Sequence, residues 1–329
     1  MFVIVKLYTM EALIETLSPL QLAEQVETIK AVFESELKAR LSLTRIPAPL
    51  FVAKESGLND DLNGVERPVS FSLNGQEHQI VHSLAKWKRW CLGELKVPSG
   101  RGIVTDMRAI RADEVLTPIH AHLVDQWDWE KTIEKAERTL DTLIRHGDAV
   151  FQSLRVTENH FAEQEGVAAT LPERMEIVHT EELLQDYPSL TPKEREHAIA
   201  KKYGAVFLIG VGGKLSNGER HDLRAPDYDD WTTKDELGRP GLNADILVWD
   251  AVRELSLEIS SMGVRVCEKV LESQLKELGA ADRLELPFHR QLVEGKLPYS
   301  IGGGIGRSRV AMFVAKCKDI KEVQALVAG

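Results

Sequence analysis

The chain has 329 residues, of which 43% are hydrophobic and 28% are charged. These proportions are those of an ordinary globular protein, so a disordered, collagenous or long coiled-coil chain is excluded. The 41 lysines and arginines against 51 aspartates and glutamates give a formal net charge of −10, which disfavours broad contact with nucleic acid phosphates. Any polyanionic ligand must therefore meet a local cluster of cations.

Cysteine usage and hydropathy narrow the class of protein further. Cys91, Cys267 and Cys317 lie far apart, with no CxxC or Cys/His pair, so neither a disulfide framework nor a structural zinc site is predicted. No secretory signal pattern opens the chain, and no apolar stretch is long enough for a membrane span. We therefore expect a cytoplasmic protein with no membrane partner.

The first half of the chain predicts one long helix, two strand pairs and a second long helix. Ser18 and Pro19 suit the cap and first position of a helix that ends before Pro47. Residues 67–73 and 76–82 flank Asn74-Gly75, a pair typical of a type I′ turn, and residues 103–110 and 123–129 form the next pair. A charged helix is expected from residue 130 towards 154.

The second half predicts further strands in consecutive runs. A helix should follow Thr191-Pro192 and stop at Gly204, and a glycine-rich strand from Ser300 should run into a helix near Arg307. Between them we expect strands at 205–211, 245–249 and 255–266, and helices at 269–278 and 288–294. Without regular βαβ alternation, this order favours an α+β fold with a mostly antiparallel sheet.

The glycine tract is the most informative segment. Gly302, Gly304 and Gly306 share one face of an extended strand, where the absence of Cβ atoms leaves room for a flat ring. Arg309 follows in the first helical turn and could stack on that ring or reach a phosphate. A dinucleotide fingerprint is excluded, because its last glycine would fall on an arginine. A glycine-rich bulge is the alternative.

A second candidate element consists of the two strands around residues 103–129. Arg111 ends the first strand and offers planar, permanently charged donors that suit a phosphate. Gln126 and Asp128 alternate on the second strand and so share a face, which is either part of a site or merely a polar sheet face. His120 and His122 lie between the strands, but no third ligand nearby supports a metal site.

Charged residues on the later strands complete the candidate site. Asp245 and Glu258 would repel a bare nucleotide, so beside a phosphate site they favour magnesium, bound directly or through water. Surface acids are the alternative. Arg265 could bind a substrate carboxylate, or it could form a surface ion pair.

These motifs together resemble a known family. The glycine tract and the strand pair resemble the third and second motifs of class II aminoacyl-tRNA synthetases. With VHSLAKWKR at 81–89, DQWDWE at 125–130, GAVFL at 204–208 and RHDLRAPDYDDW at 220–231, the chain resembles ammonia-dependent asparagine synthetases, or aspartate-ammonia ligases. The resemblance runs in order from about residue 20 to 315. It replaces the two domains that length suggests with one catalytic domain over 1–329, poorly matched at 1–18 and with a mainly helical insertion at 130–204.

The resemblance implies that ATP adenylates the β-carboxylate of L-aspartate and that ammonia then displaces AMP, with diphosphate released in the first step. The implied site residues are Arg111 at the α-phosphate, Gly302, Gly304, Gly306 and Arg309 at the nucleotide, Asp245 and Glu258 at ATP and Mg²⁺, Ser83, Lys88, Gln126, Asp128 and Arg265 around aspartate, and Asp60 and Asp229 at acidic positions of the pocket. An acceptor there could take the proton of ammonium. Loop carboxylates that cap backbone donors are the alternative for these two residues.

The resemblance also implies a homodimer, since the helix leading to RIPAP at 45–49 is similar to the first class II motif, which forms a twofold interface. Two other functions remain open. One is an aspartyl- or asparaginyl-tRNA synthetase core, which the acidic charge disfavours, and the other is a synthetase paralogue that binds ligands without catalysis.

Overall fold

The computed structural model describes residues 17–60 and 66–325. Its strands are β1 (Leu43–Arg45), β2 (Phe51–Ala53), β3 (Ser70–Leu73), β4 (Gln76–Ile80), β5 (Gly102–Ile110), β6 (Leu123–Thr132), β7 (Glu176–His179), β8 (Ala205–Ile209), β9 (Asn243–Asp250), β10 (Leu255–Val264) and β11 (Ser300–Gly306). Its helices are α1 (Pro19–Leu41), α2 (Ala85–Glu94), α3 (Leu140–Glu165), α4 (Thr180–Asp186), α5 (Pro192–Tyr203), α6 (Glu268–Glu277), α7 (Pro287–Val293) and α8 (Arg307–Val314).

Eight strands form the central sheet in the order β1-β5-β6-β11-β10-β9-β8-β7. Only the two outermost pairs, β1 with β5 and β7 with β8, are parallel within the described residues. A smaller antiparallel sheet has the order β2-β4-β3. The predicted α+β class with a mostly antiparallel sheet is therefore confirmed.

The main core lies on one face of the large sheet, under α1, α3 and α8. Trp127 and Trp129 of β6 are fully buried there with Phe33 of α1 and Phe151 of α3. Phe33 stacks on Trp127 at a centroid distance of 4.5 Å. Because side chains alternate along a strand, Asp128 between the tryptophans and Gln126 and Glu130 on either side of them point to the opposite face of the sheet.

Local sequence signals explain several element boundaries. Ser18 caps α1 by accepting a hydrogen bond from the backbone amide of Gln21, in a reciprocal capping box. Asn74 and Gly75 have φ angles of 52° and 79°, as the turn between β3 and β4 requires. Thr191 caps α5, which ends at Gly204. The predicted start of α1, the hairpin and this later helix are confirmed.

The helix expected from residue 130 was placed wrongly. Strand β6 continues to Thr132 because Glu130 and Lys131 remain paired with β5 on one side and β11 on the other. Helix α3 begins only at Leu140, after its cap Thr139, and extends to Glu165. Residues 130–204 therefore hold the end of β6 and the strand β7 as well as three helices. No helix in 17–60 or 66–325 has the length and apolar character to cross a bilayer.

Candidate active site

A cavity of about 440 Å³ lies on the sheet face that carries Gln126 and Asp128, opposite the tryptophan core. Strands β6, β10 and β11 form its floor, and its rim comes from α2, the loop after β5, the start of α8 and residues 222–229. Most of the residues singled out in the sequence line it. Those lining residues are Ser83, Lys88, Arg111, Gln126, Asp128, Asp229, Glu258, Arg265, Gly304, Gly306 and Arg309.

The lining divides by burial into two groups. The inner group consists of Lys88, Asp128, Asp229 and Arg265, whose side chains are at most 3% exposed. The outer group consists of Arg111, Glu258 and Arg309, whose side chains are 28%, 37% and 22% exposed. The cavity therefore has a buried polar part and a partly exposed part that carries two arginines.

Lys88 and Asp128 form a buried ion pair in the inner group. The Lys88 ammonium donates to Asp128 Oδ1 and, at 2.9 Å, to the carbonyl oxygen of Gly303 in β11. Burial lowers the pKa of Lys88, and the negative charge of Asp128 opposes that shift. The second oxygen of Asp128 is buried and accepts no hydrogen bond from the protein.

Arg265 is held by two buried carboxylates, one of which the sequence analysis missed. Its Nε and Nη2 donate to Glu130 at 2.9 and 2.7 Å, and its Nη1 donates to Asp229. Burial raises the pKa of Asp229, while the charge of Arg265 opposes the rise. Arg265 thus forms interior ion pairs at the border of the cavity, and the alternative of a surface ion pair is wrong. Strand alternation places Glu130 on the same face as Gln126 and Asp128.

The two arginines of the outer group lie near His120 in the loop between β5 and β6. Arg111 lies directly after β5, and its guanidinium is 3.7 Å from Glu114. Arg309 in the first turn of α8 donates to the backbone carbonyl of Glu258 at 2.9 Å. His120 lines the same region, where burial and then the charge of Arg309 lower its pKa. The outer group is therefore rich in donors suited to an anion.

Each of the two histidines of this loop has its Nδ1 atom next to a protein oxygen. His120 Nδ1 is 2.7 Å from Thr117 Oγ1, and His122 Nδ1 is 3.1 Å from the carbonyl of Arg111. Across residues 17–60 and 66–325, no cluster of three or more His, Cys, Asp or Glu is arranged to hold a metal.

The glycine tract forms strand β11 between β6 and β10. A Cβ at Gly304 would lie 2.7 Å from Gln126 Oε1, and one at Gly306 would lie 3.2 Å from Arg309 Cβ. Gly302 differs from the prediction, because it lies outside the lining and a Cβ there would overlap the Glu130 carboxylate. That glycine makes room for Glu130, whereas Gly304 and Gly306 leave the cavity floor open.

Asp245 lies just outside the lining, beneath Arg224. Its Oδ2 accepts from Arg224 Nη2, and its buried Oδ1 accepts no hydrogen bond from the protein. Burial raises the pKa of Asp245 to about 7; Arg224 opposes the rise and Glu258 adds to it. Arg224 itself lines the cavity. Arg224 lies in the segment at 220–231, which also carries several acids, but its local pattern did not predict it as a site residue.

Asp60 also lies outside the lining, where it is 2% exposed. Its Oδ2 accepts a hydrogen bond of 2.9 Å from Ser83 Oγ, which does line the cavity. Asp60 is thus separated from the cavity by one side chain. The rest of its acidic loop, residues 61–65, lies outside the described residues.

Solved structures with this architecture define the class. The chain superposes on asparaginyl-tRNA synthetase of Entamoeba histolytica, complexed with asparaginyl-adenylate, with a TM-score of 0.65 and 13% identity over 95% of this chain and 68% of that one. The corresponding complex from Pyrococcus horikoshii gives 0.66 and 13% over 96% and 70%. At such low identity the likeness concerns the fold, which is that of a class II aminoacyl-tRNA synthetase catalytic domain.

Sequence comparisons give the family within that class. The model of the aspartate-ammonia ligase family matches residues 20–328. An aspartate-ammonia ligase of Parabacteroides distasonis is 50% identical over 92% of this chain and 89% of its own length, and one of Clostridium perfringens is 51% identical over 91% and 88%. The chain therefore belongs to the aspartate-ammonia ligase family, as its motifs indicated, and it is an enzyme of that kind.

Proposed function

We propose that the cavity forms L-asparagine from L-aspartate, ammonia and ATP through a β-aspartyl-adenylate, with AMP and diphosphate as products. The observation that carries this proposal is the division of one cavity into a buried inner group of paired charges and a partly exposed outer group with two arginines. The inner group suits a small zwitterion with an extra carboxylate, and the outer group suits a polyphosphate.

The inner group has free hydrogen-bonding capacity for aspartate. Asp128 Oδ2 accepts nothing from the protein and can accept from an α-ammonium group. Three of the five N–H groups of Arg265 face Glu130 and Asp229, so two remain for a substrate carboxylate. In this arrangement Lys88 lies beside the reacting side-chain carboxylate, and Gln126 and Ser83 border it.

The outer group is assigned to the nucleotide. Arg111 would hold the α-phosphate as charge develops during its transfer, and Arg309 would lie at the adenine and distal phosphates. Gly304 and Gly306 leave the floor flat enough for a ring, since neither carries a Cβ. Losing one preorganised donor of this type typically costs about 3 to 4 kcal/mol in the activation barrier.

Asp245 and Glu258 are the residues that would hold magnesium. Mg²⁺ commonly takes one or two carboxylates together with substrate phosphates, and Asp245 Oδ1 is a buried acceptor without a protein partner. Glu258 lines the cavity beside it and raises the pKa of Asp245 through its charge. The donor set therefore fits. Magnesium there would neutralise part of the phosphate charge.

The chemistry follows from the weakness of a carboxylate as an acyl donor. An oxygen of the aspartate side chain attacks the α-phosphorus and diphosphate leaves, which converts that oxygen into part of a better leaving group. The nitrogen of ammonia then attacks the activated carbonyl carbon, and AMP departs with the oxygen. The asparaginyl-adenylate in the two tRNA synthetase complexes supports an aminoacyl-adenylate as a ligand for this fold.

Ammonium must lose a proton before its nitrogen can attack. Asp229, which belongs to the inner group, and Asp60, near the cavity, are the two proposed acceptors. Burial raises the pKa of Asp229, and a stronger base accepts the proton of ammonium more readily. Asp60 is linked to the cavity through Ser83.

The test is a product assay with the nitrogen source varied. Purified protein with ATP, Mg²⁺ and aspartate receives ammonium, glutamine or tRNA in turn, and asparagine, aminoacyl-tRNA, AMP and ADP are measured. We expect ammonium-dependent asparagine with equimolar AMP. Formation of ADP would contradict the adenylate route, aminoacyl-tRNA would favour the synthetase core, and ligand binding without products would favour a non-catalytic paralogue.

A further inference from the structure

A second buried cluster of charges lies behind the inner group and does not line the cavity. Its centre is Asp227, which is fully buried. One carboxylate oxygen, Oδ2, is 3.0 Å from Lys86 Nζ, 3.0 Å from His289 Nε2 and 3.3 Å from Arg283 Nη1. Burial opposes the ionisation of Asp227, but Lys86 and His289 outweigh it and hold its pKa well below the usual value.

These partners come from segments that are distant in the sequence. Lys86 lies on α2, Arg283 precedes α7, and His289 lies on α7. Because the Asp227 carboxylate is ionised, it can only accept hydrogen bonds. The proton in its contact with His289 is therefore on Nε2 of the histidine. Paired in this way, the buried carboxylate fixes the separation of α2, α7 and the segment that carries Asp227.

Two of the segments that meet in this cluster also carry a residue that lines the cavity. Lys86 is two positions before Lys88 on α2, and Asp227 is two positions before Asp229. Residues two apart on a helix lie on different sides of it, so Lys86 contacts Asp227 while Lys88 lines the cavity. On the other segment, Asp227 pairs with Lys86, whereas Asp229 pairs with Arg265 and lines the cavity. A displacement of Asp227 therefore changes the distance between Lys88 and Asp229.

Helix α7 links the cluster to the loop that carries Asp60. A Cβ at Gly57 would lie 3.3 Å from His289 Nδ1 and 2.9 Å from Leu286 Cβ, so the chain passes closely over α7 there. Gly57 has a φ of 72°, which favours glycine, and Asp60 follows three positions later. His289 therefore contacts Asp227 and also lies close to the chain at Gly57, three residues before Asp60.

We propose that Asp227 is a positioning residue for aspartate: without touching the substrate, it sets the spacing between Lys88 and Asp229 across the inner group. This inference rests on the proposed assignment of the inner group to aspartate. The outer group has no contact with Asp227, Lys86 or His289 in the bonds described above. Disturbing the cluster should therefore weaken aspartate binding while ATP binding is largely kept.

The experiment compares Asp227→Asn with wild type by aspartate-dependent exchange of labelled diphosphate into ATP. Since a displacement of about 1 Å can cost about 100-fold in rate, we expect the KM for aspartate to rise at least about tenfold and that for ATP to change less than about threefold. Lys86→Met should show the same selectivity. The double variant should be no worse than the single ones, because both changes break one contact.

Asp250→Asn is the matched control. Asp250 is 2% exposed and paired with Arg253, at the end of β9 and outside the cavity lining. It should lower the free energy of unfolding without changing the ratio of the two KM values. A merely structural role of Asp227 would give the same result as this control.

The outcomes separate the two proposals. Wild-type protein without aspartate-dependent exchange would contradict the proposed function itself. Active wild type together with a folded Asp227→Asn whose two KM values change equally, or not at all, would overturn the positioning role. If Asp227→Asn does not fold, the ratio of the two KM values is measured for Lys86→Met instead. Equal changes of both KM values in that variant would overturn the inference.

Discussion

At the scale of single residues, Glu130 determines how much of Arg265 is available to a ligand. The carboxylate occupies Nε and Nη2 of the arginine and also accepts 2.7 Å from Ser300 Oγ. With Glu130 fully buried, the arginine has no water to replace a lost partner. Glu130 therefore orients Arg265 and compensates its charge.

Glu130→Gln should lower the free energy of unfolding by about 3 to 5 kcal/mol, because it leaves a buried arginine without full compensation. Urea unfolding measures this change. Glu285→Gln is the control, since Glu285 forms an ion pair with Arg290 in which the side chains are 79% and 58% exposed, and pairs of that kind contribute less than about 1 kcal/mol. Similar losses in both variants would contradict the account of Glu130.

Local sequence patterns predicted several of the residues that line the cavity. Arg111 at a strand end, Gln126 and Asp128 in alternation and Arg309 after glycines are visible without the fold. Glu130, Arg224 and the position of Asp245 beneath Arg224 depend on contacts between segments up to 135 residues apart. Such pairings are set by strand order, which the local pattern of one segment does not contain.

At the scale of elements, the boundary between β6 and α3 shows why the pattern of charged residues predicted a helix in the wrong place. The charged run after Trp129 resembles an exposed helix face, but Glu130 is an interior residue of a strand paired on both sides. The helix begins where Thr139 can cap it. Strand pairing thus outweighed the local preference for helix.

Helix α3 also carries a histidine that should make folding sensitive to acid. His146 stacks on Trp129 with ring centroids 6.1 Å apart, and its Nδ1 lies 2.7 Å from the carbonyl of Thr142. Burial lowers its pKa from 6.5 to about 4. The unfolded chain therefore binds this proton at higher pH than the folded chain, so stability falls as the pH drops from about 6.5 to 4.

His146→Asn should make that fall in the free energy of unfolding shallower, by up to about 3 kcal/mol over this interval. Urea unfolding at several pH values between 7.5 and 4 gives the slope for wild type and variant. His160→Asn, an exposed histidine on the same helix, should leave the slope unchanged. Parallel curves for wild type and His146→Asn would show that another group causes the acid sensitivity.

At the scale of the whole molecule, the small sheet presents apolar side chains next to the segment similar to the first class II motif. Leu50, Phe51 and Leu73 are 52%, 38% and 43% exposed. Leu50 directly follows the RIPAP segment. Exposed apolar side chains are found at interaction surfaces, and the homodimer stays a prediction that these residues can test.

The chain should therefore sediment with the mass of two protomers, and Leu50→Glu should shift it towards one, because a charge in an apolar interface is costly. Leu237→Glu is the control, since Leu237 is 75% exposed and lies in the loop before β9. Wild type that sediments as a single chain would contradict the homodimer, and equal shifts in both variants would place the interface elsewhere.

The whole account depends on the direct transfer of an aspartate oxygen to AMP. The measurement is mass spectrometry of the products formed from ammonium, ATP and aspartate labelled with ¹⁸O in its side-chain carboxylate. The adenylate route predicts one labelled oxygen in each AMP and none in diphosphate. Unlabelled AMP, or label in inorganic phosphate released with ADP, would contradict it.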